Sequence, residues 1–205
     1  MAVPHSRLGS RFAEAVAWVS DLHAEQSRKG GGDVPYVSHL LAVAALTLED
    51  GGDEDDAVIA LCHDAVEDQG GEEALTEVRR RFGDVVADAV ALLSDSRGGP
   101  KGPWRIRKQA LLTQLDQPGV PERVLRVAAA DKLHNARSLL VRLRQEGPRA
   151  WERFVAAPAD YLWFYRGMAT VLAERHPGST NGAELERVAE ELAAWVPTGE
   201  VSLPA

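Results

Sequence analysis

The segment Ala57-Val58-Ile59-Ala60-Leu61-Cys62-His63-Asp64-Ala65-Val66-Glu67-Asp68 opens as an apolar run and ends in one imidazole and three carboxylates. In a helix, positions i, i+1, i+4 and i+5 lie in two adjacent rows along one edge, so His63, Asp64, Glu67 and Asp68 share a flank. Gathering three carboxylates beside apolar surface is costly unless a cation compensates. Residues 124–137 repeat the arrangement, because an apolar run delivers Asp131 with Asn135 one turn later on the same face. Adding His39, from Tyr36-Val37-Ser38-His39-Leu40-Leu41, gives two imidazoles and two aspartates. This hard-to-borderline donor set can hold one divalent ion and leave coordination positions for water or substrate. Mn²⁺ is the first choice of ion, with Mg²⁺, Fe²⁺ and Zn²⁺ as alternatives. Taken singly, a His before an apolar helix is a capping or core residue, and an acid at a helix end is solvated charge. Their coincidence in two buried segments argues for a site.

The elements that must position these residues are helices. Apolar residues recur at helical spacing at Phe12, Ala15, Val16, Val19 and Leu22, and again at Leu40, Leu41, Ala44, Ala45 and Leu48. No period-two pattern competes with them. Clusters of Gly, Pro and Asp at 30–35, 50–56, 69–72, 94–103, 116–121, 147–148 and 177–182 separate the helical stretches. The reading is an all-α bundle of eight to ten helices in a single domain over 1–205, closed by a C-terminal helix at about 181–196. Gly83 suits a helix C-terminus and Asp84 can cap the helix that follows. Pro121 falls in a first helical turn.

Apolar residues form 45% of the 205-residue chain and charged ones 26%, so order is the default expectation rather than disorder. A net charge of −8 argues against a surface built for duplex nucleic acid or an anionic membrane, which both select a broad basic face. The first thirty residues carry charges throughout, without the unbroken apolar stretch of a signal peptide or spanning helix. A cytoplasmic location is the expectation, and the single Cys62 is consistent with a reducing compartment.

The separated His39, His63-Asp64 and Asp131 resemble the ligand pattern of the HD-domain metal-dependent phosphohydrolases. The strings Arg28-Lys29, Pro35-Tyr36-Val37-Ser38-His39, His63-Asp64-Ala65-Val66-Glu67-Asp68 and Ala130-Asp131-Lys132-Leu133-His134-Asn135 narrow the resemblance to the hydrolase half of the RelA/SpoT proteins. It runs from about 12 to 172 and is nearest to the stand-alone small alarmone hydrolases of the metazoan SpoT-homologue kind.

The resemblance implies an HD-domain helical bundle with one Mn²⁺ per chain on His39, His63, Asp64 and Asp131. It implies hydrolysis of guanosine 3′,5′-bis(diphosphate) or its pentaphosphate to GDP or GTP and pyrophosphate, with Glu67 and Asp68 acting on the attacking water. A polyanionic substrate needs a local cationic patch, for which Arg28, Lys29, Lys101, Arg105 and Lys108 are the candidates. Asn135 would bond the nucleoside or ribose, and Tyr161 would lie near the base. His134 reads as helix surface or as a residue behind the ligands. The partner is thus a small nucleotide. Two rival readings are an HD phosphohydrolase of another nucleotide, such as a nucleotidase or an NADPH phosphatase, and a nucleotide-binding regulator without turnover.

Overall fold

The computed structural model describes residues 8–28, 33–96 and 101–197. These residues form ten α-helices and no sheet: α1 (Ser10–Leu22), α2 (Val37–Glu49), α3 (Glu54–Cys62), α4 (Ala65–Gln69), α5 (Gly71–Phe82), α6 (Asp84–Leu93), α7 (Trp104–Leu115), α8 (Glu122–Glu146), α9 (Pro158–Arg175) and α10 (Thr180–Ala193), with a 3₁₀ segment at Gly147–Arg153. The all-α class follows from the sequence periodicity. No helix among the described residues is long and apolar enough to cross a membrane.

α8 is the axis of the molecule. Its 25 residues span about 37 Å at the helical rise, and α2, α3, α6, α9 and α10 all pack on it. α3 is enclosed on every side, with 57–62 fully buried, as expected of a helix that is apolar all round. Its start is fixed by a capping box in which Asp53 accepts from the Asp56 amide and Asp56 accepts from the Asp53 amide. The Asp56 carboxylate is itself buried and is met by Arg126 of α8 at 2.7 Å.

Several local expectations shift. The buried stripe of α2 is His39, Leu40, Val43, Ala44 and Thr47, while Leu41 and Ala45 face outward. The stripe is therefore rotated by about one residue from the apolar pattern, and the rotation carries His39 inward. The expected run from 57 to 68 is broken at His63-Asp64, so that α3 ends and α4 begins in a new direction. Asp84 does not cap α6. It is the first residue of that helix and pairs with Arg79 across the turn, while Gly83 takes the left-handed φ of +88° that the reversal requires. Pro121 stands just outside α8, at its N-cap.

The C-terminal helix is fastened to α2 by one carboxylate. Asp50, at the end of α2, accepts from Ser179 Oγ at 2.6 Å, from the Thr180 amide at 2.7 Å and from Thr180 Oγ1 at 2.6 Å. Asn181 adds a bond to the Leu46 carbonyl. Burial opposes the charge on Asp50, but the bonds from Ser179 and Thr180 outweigh it and hold its pKa below the usual value of 3.8. A lowered folded-state pKa contributes stability that is fully present above the unfolded value and is lost as pH falls below it through the folded-state pKa. Replacing Asp50 with Asn should cost about 2 kcal/mol at pH 7, as expected for hydrogen bonds to a charged group. Denaturant titration should show that the difference from wild type shrinks at pH 3; a gap of equal size at both pH values would mean that the charge on Asp50 is immaterial.

Candidate metal and active site

Three helices deliver the donor atoms to one point. α2 contributes His39, the junction after α3 contributes His63 and Asp64, and α8 contributes Asp131. His39 Nε2 lies 3.2 Å from Asp131 Oδ1 and 3.6 Å from Asp64 Oδ2. His63 Nε2 lies 3.0 Å from Asp64 Oδ2 and 3.6 Å from Asp131 Oδ1. Donor atoms of His39, His63 and Asp131 all fall within 4.8 Å of one another, close enough to hold a metal ion.

The neighbours set the state of each donor. His63 Nδ1 is 2.7 Å from the carbonyl of Ala60, which can only accept, so that nitrogen carries the proton and neutral His63 presents a bare Nε2. His39 Nδ1 is 2.7 Å from His134 Nδ1, and a neutral His39 with a free Nε2 donates across that contact. Burial, reinforced by His39 and Arg28, pushes the His134 pKa down to about 4, which keeps the ring neutral and able to accept. Both inward Nε2 atoms are buried and have no hydrogen-bond partner. Two such nitrogens facing two carboxylates leave a place for a cation between them, for which a metal ion and protons compete.

The carboxylates are oriented with equal care. Asp64 Oδ2 accepts from the Tyr36 hydroxyl at 2.5 Å. Burial, together with Asp64 and Asp68, pushes the Tyr36 pKa up, so it remains a phenol that donates. Asp131 accepts from Asn135 Nδ2 at 2.6 Å through Oδ1 and pairs with Lys132 through Oδ2. Burial works against ionising Asp64 and Asp131. The first is nevertheless held well below the carboxylate range by His63 and His39, and the second by Lys132, His63 and His39.

The cluster opens into a cavity of about 360 Å³. Glu67 and Asp68 line it one turn beyond Asp64, and Lys101 reaches both, at 3.0 and 3.3 Å. Gln26 holds the other Asp68 oxygen at 2.9 Å. An isolated antiparallel bridge between Ser27 and Pro35 brings Arg28 and Tyr36 to the rim. Arg28 Nη2 donates to Asn135 Oδ1 at 2.9 Å, and its guanidinium lies 5.7 Å from the Tyr36 ring centre. Lys108 lines the cavity with its ammonium held by Asp95 at 2.6 Å. Tyr161 lines it within an aromatic group that includes Trp104 and Phe154, whose ring centres are 4.8 and 5.2 Å away.

Arg105 does not join them. It pairs with Asp160 and lies 4.3 Å above the Trp163 ring, outside the cavity, because its position on α7 turns it toward α9. Lys29 lies outside the described residues. Of the supporting contacts, that of Tyr36 on Asp64 is absent from the sequence reading, whereas His134, read as helix surface or as a residue behind the ligands, stands behind His39, and Lys132, an alternative partner for Asp131, pairs with it. The signal for the last two was adjacency. Lys132 follows a ligand, and His134 lies three residues after one, where a helix places a neighbour on the same face.

Comparison with known proteins agrees with this geometry. The family model described as HD domain matches residues 15–158, well over half of the chain. The chain is 33% identical over 128 residues to guanosine-3′,5′-bis(diphosphate) 3′-pyrophosphohydrolase MESH1 of Xenopus tropicalis, covering 62% of this chain and 68% of that protein. It is 36% identical over 129 residues to a GTP pyrophosphokinase of Streptomyces coelicolor, covering 60% of this chain but only 14% of that protein. Among solved structures it superposes on a metazoan ortholog of SpoT, described as hydrolysing ppGpp, with a TM-score of 0.68 at 24% identity over 95% of this chain and 97% of the other. It also superposes on the Listeria monocytogenes protein lmo0812 with a TM-score of 0.65 at 27% identity over 77% and 97%. The family match and the extent of the MESH1 similarity show that this chain belongs to the HD-domain family, in the branch that holds the MESH1 proteins.

Proposed function

We propose that the chain is a metal-dependent phosphohydrolase that converts guanosine 3′,5′-bis(diphosphate) into GDP and pyrophosphate. The observation that carries the metal part is the pair of buried, partnerless Nε2 atoms on His39 and His63, facing Asp64 and Asp131. The names of the MESH1 relatives supply the substrate class. Mn²⁺ is the ion we assign, since two imidazoles and two carboxylates match its intermediate hardness. A divalent ion on these four residues would supply Lewis acidity toward phosphate oxygens and toward water.

The remaining steps belong to the chain's own residues. Arg28 and Asn135, already bonded to each other, would hold the ribose and the 3′ phosphoryl group. Tyr161 offers an aromatic face to the base. The Glu67–Asp68 pair takes the proton from water as its oxygen bonds to the phosphorus attached to O3′. The P–O3′ bond then breaks, and the proton returns to the ribose oxygen. Lys101 fixes the direction of both carboxylates. The acidic surface and the small cavity fit a nucleotide rather than a nucleic acid. We place the reaction in the cytoplasm, where the unpaired, buried Cys62 stays reduced.

Metal-stripped protein supplied with Mn²⁺ and offered guanosine tetraphosphate, NADPH and mononucleotides should release pyrophosphate and GDP from the first. Orthophosphate from NADPH, with the tetraphosphate untouched, would overturn the assignment. Elemental analysis should find about one ion per chain in the wild type and none in Asp64→Ala. Asp64 and Asp131 overcome the burial of His63 and hold its pKa well above 6.5. Protons therefore compete for that nitrogen, and apparent metal affinity should fall as the pH of an equilibrium dialysis is lowered. Chelation should lower the melting temperature, because the ion binds only the folded chain.

Changing Glu67→Gln and Asp68→Asn together keeps shape but removes basicity. Turnover should drop by about 10²- to 10⁴-fold, the usual range for general acid–base catalysis, while metal content stays at the wild-type level. A double amide variant that turns over at the wild-type rate would remove the pair from the mechanism.

A further inference from the structure

α8 presents more than a metal ligand to the cavity. Asp131, Asn135, Ser138 and Arg142 all line it, at spacings of four, three and four residues. Eleven helical residues return to within about 20° of the starting direction, so these side chains form one straight stripe along the helix. Asp131 and Arg142 are separated by about 16 Å of helix axis at a rise of 1.5 Å per residue. Long helical side chains lean toward the N-terminus, the direction in which Ser138 and the donor cluster lie from Arg142.

The charges of the cavity set Arg142 apart. Lys132 is engaged by Asp131, Lys108 by Asp95, and Lys101 by Glu67 and Asp68. Arg142 is half-buried and, among the described residues, meets no carboxylate. A solvated surface arginine needs no explanation. One that lines a cavity in a chain of net charge −8, where the described lining lysines, Lys108 and Lys132, are each held by a carboxylate, is an anion-binding fork. Among the described residues, the other lining guanidinium without an acidic partner is Arg28, which sits with Asn135 two turns nearer the donor cluster. The two cations thus stand at different distances along one wall, with Tyr161 and Phe154 beside them.

We infer that Arg142 is a specificity-determining residue that binds the second, 5′-phosphoryl group of a nucleotide whose 3′-phosphoryl group lies at the donor cluster. The inference rests on the function proposed above and adds what that function does not contain: the site measures the span between two phosphoryl ends. A nucleotide phosphorylated at one end fills one cation and leaves the other bare. Arg142 does no chemistry in this account, so its removal should act on binding.

The test compares guanosine 3′,5′-bis(diphosphate) with guanosine 3′-diphosphate, which carries a 5′-hydroxyl. Calorimetric titration of chelator-treated protein gives affinities without turnover, and steady-state assays with Mn²⁺ give kcat and KM. Arg142→Ala, a change that favours the helix, should weaken binding of the bis(diphosphate) and raise its KM by about 10- to 100-fold, the loss expected for hydrogen bonds to a charged group. Its kcat should stay within about twofold, and neither affinity nor KM should change for the 5′-hydroxyl compound. Arg142→Lys should recover part of the loss. Equal effects on both nucleotides, or no effect on either, would overturn the inference. Hydrolysis of the bis(diphosphate) by a wild-type protein whose Arg142→Ala variant binds it equally well would leave the proposed function standing and remove Arg142. Selective binding through Arg142 without hydrolysis would do the reverse.

Discussion

The structure turns on two imidazole nitrogens that have nowhere to go. His39 and His63 are fully or almost fully buried, and each gives its Nδ1 to a fixed neighbour, which leaves Nε2 aimed at the same small volume as Asp64 and Asp131. A bare lone pair held against carboxylates away from water is unfavourable without a positive charge between them. Much of the surrounding polar structure follows from this constraint. Tyr36 restrains one carboxylate, Asn135 and Lys132 restrain the other, and His134 supports the more deeply buried ring. The donors are held in place by contacts to other residues of the chain.

A second theme is the separation of charge in an acidic protein. Many basic side chains outside the cavity are spent on local carboxylates, as in the pairs of Arg126 with Asp56, Arg79 with Asp88 and Arg175 with Asp116. Within the cavity the cations are graded. Lys132 and Lys108 are strongly tied, Lys101 bridges two of the lining acids, and Arg28 meets a neutral amide and the Tyr36 ring. A polyanion therefore meets a site whose net charge differs along its length, although the chain as a whole repels it.

Much of this was legible in the sequence, for identifiable reasons. The helical class and the convergence of His39, His63, Asp64 and Asp131 followed from apolar spacing and from polar residues placed inside apolar runs. What could not be read was the rotation of a helix about its own axis. The apolar pattern of α2 suggested a stripe through Leu41 and Ala45, but the observed stripe is offset and includes His39, because packing against α3 and α8 decides the face. The break at His63-Asp64 was hidden by an uninterrupted helix-forming composition. Arg105 was placed with the other basic residues because charge carries no information about direction. Its partners, Asp160 and Trp163, lie more than fifty residues away in sequence.

The enclosure of α3 has a further consequence. A helix covered on all sides cannot fray by itself, because exposing any of its backbone requires displacing α1, α2, α6 or α8. His63 sits at the end of that helix, and its supporting contact is the carbonyl of Ala60 within it. The ligand therefore opens no more readily than the core does. Any ion held there must enter and leave through the mouth of the cavity rather than through a transient local opening behind it. The permanence of the site is then set by the stability of the whole bundle.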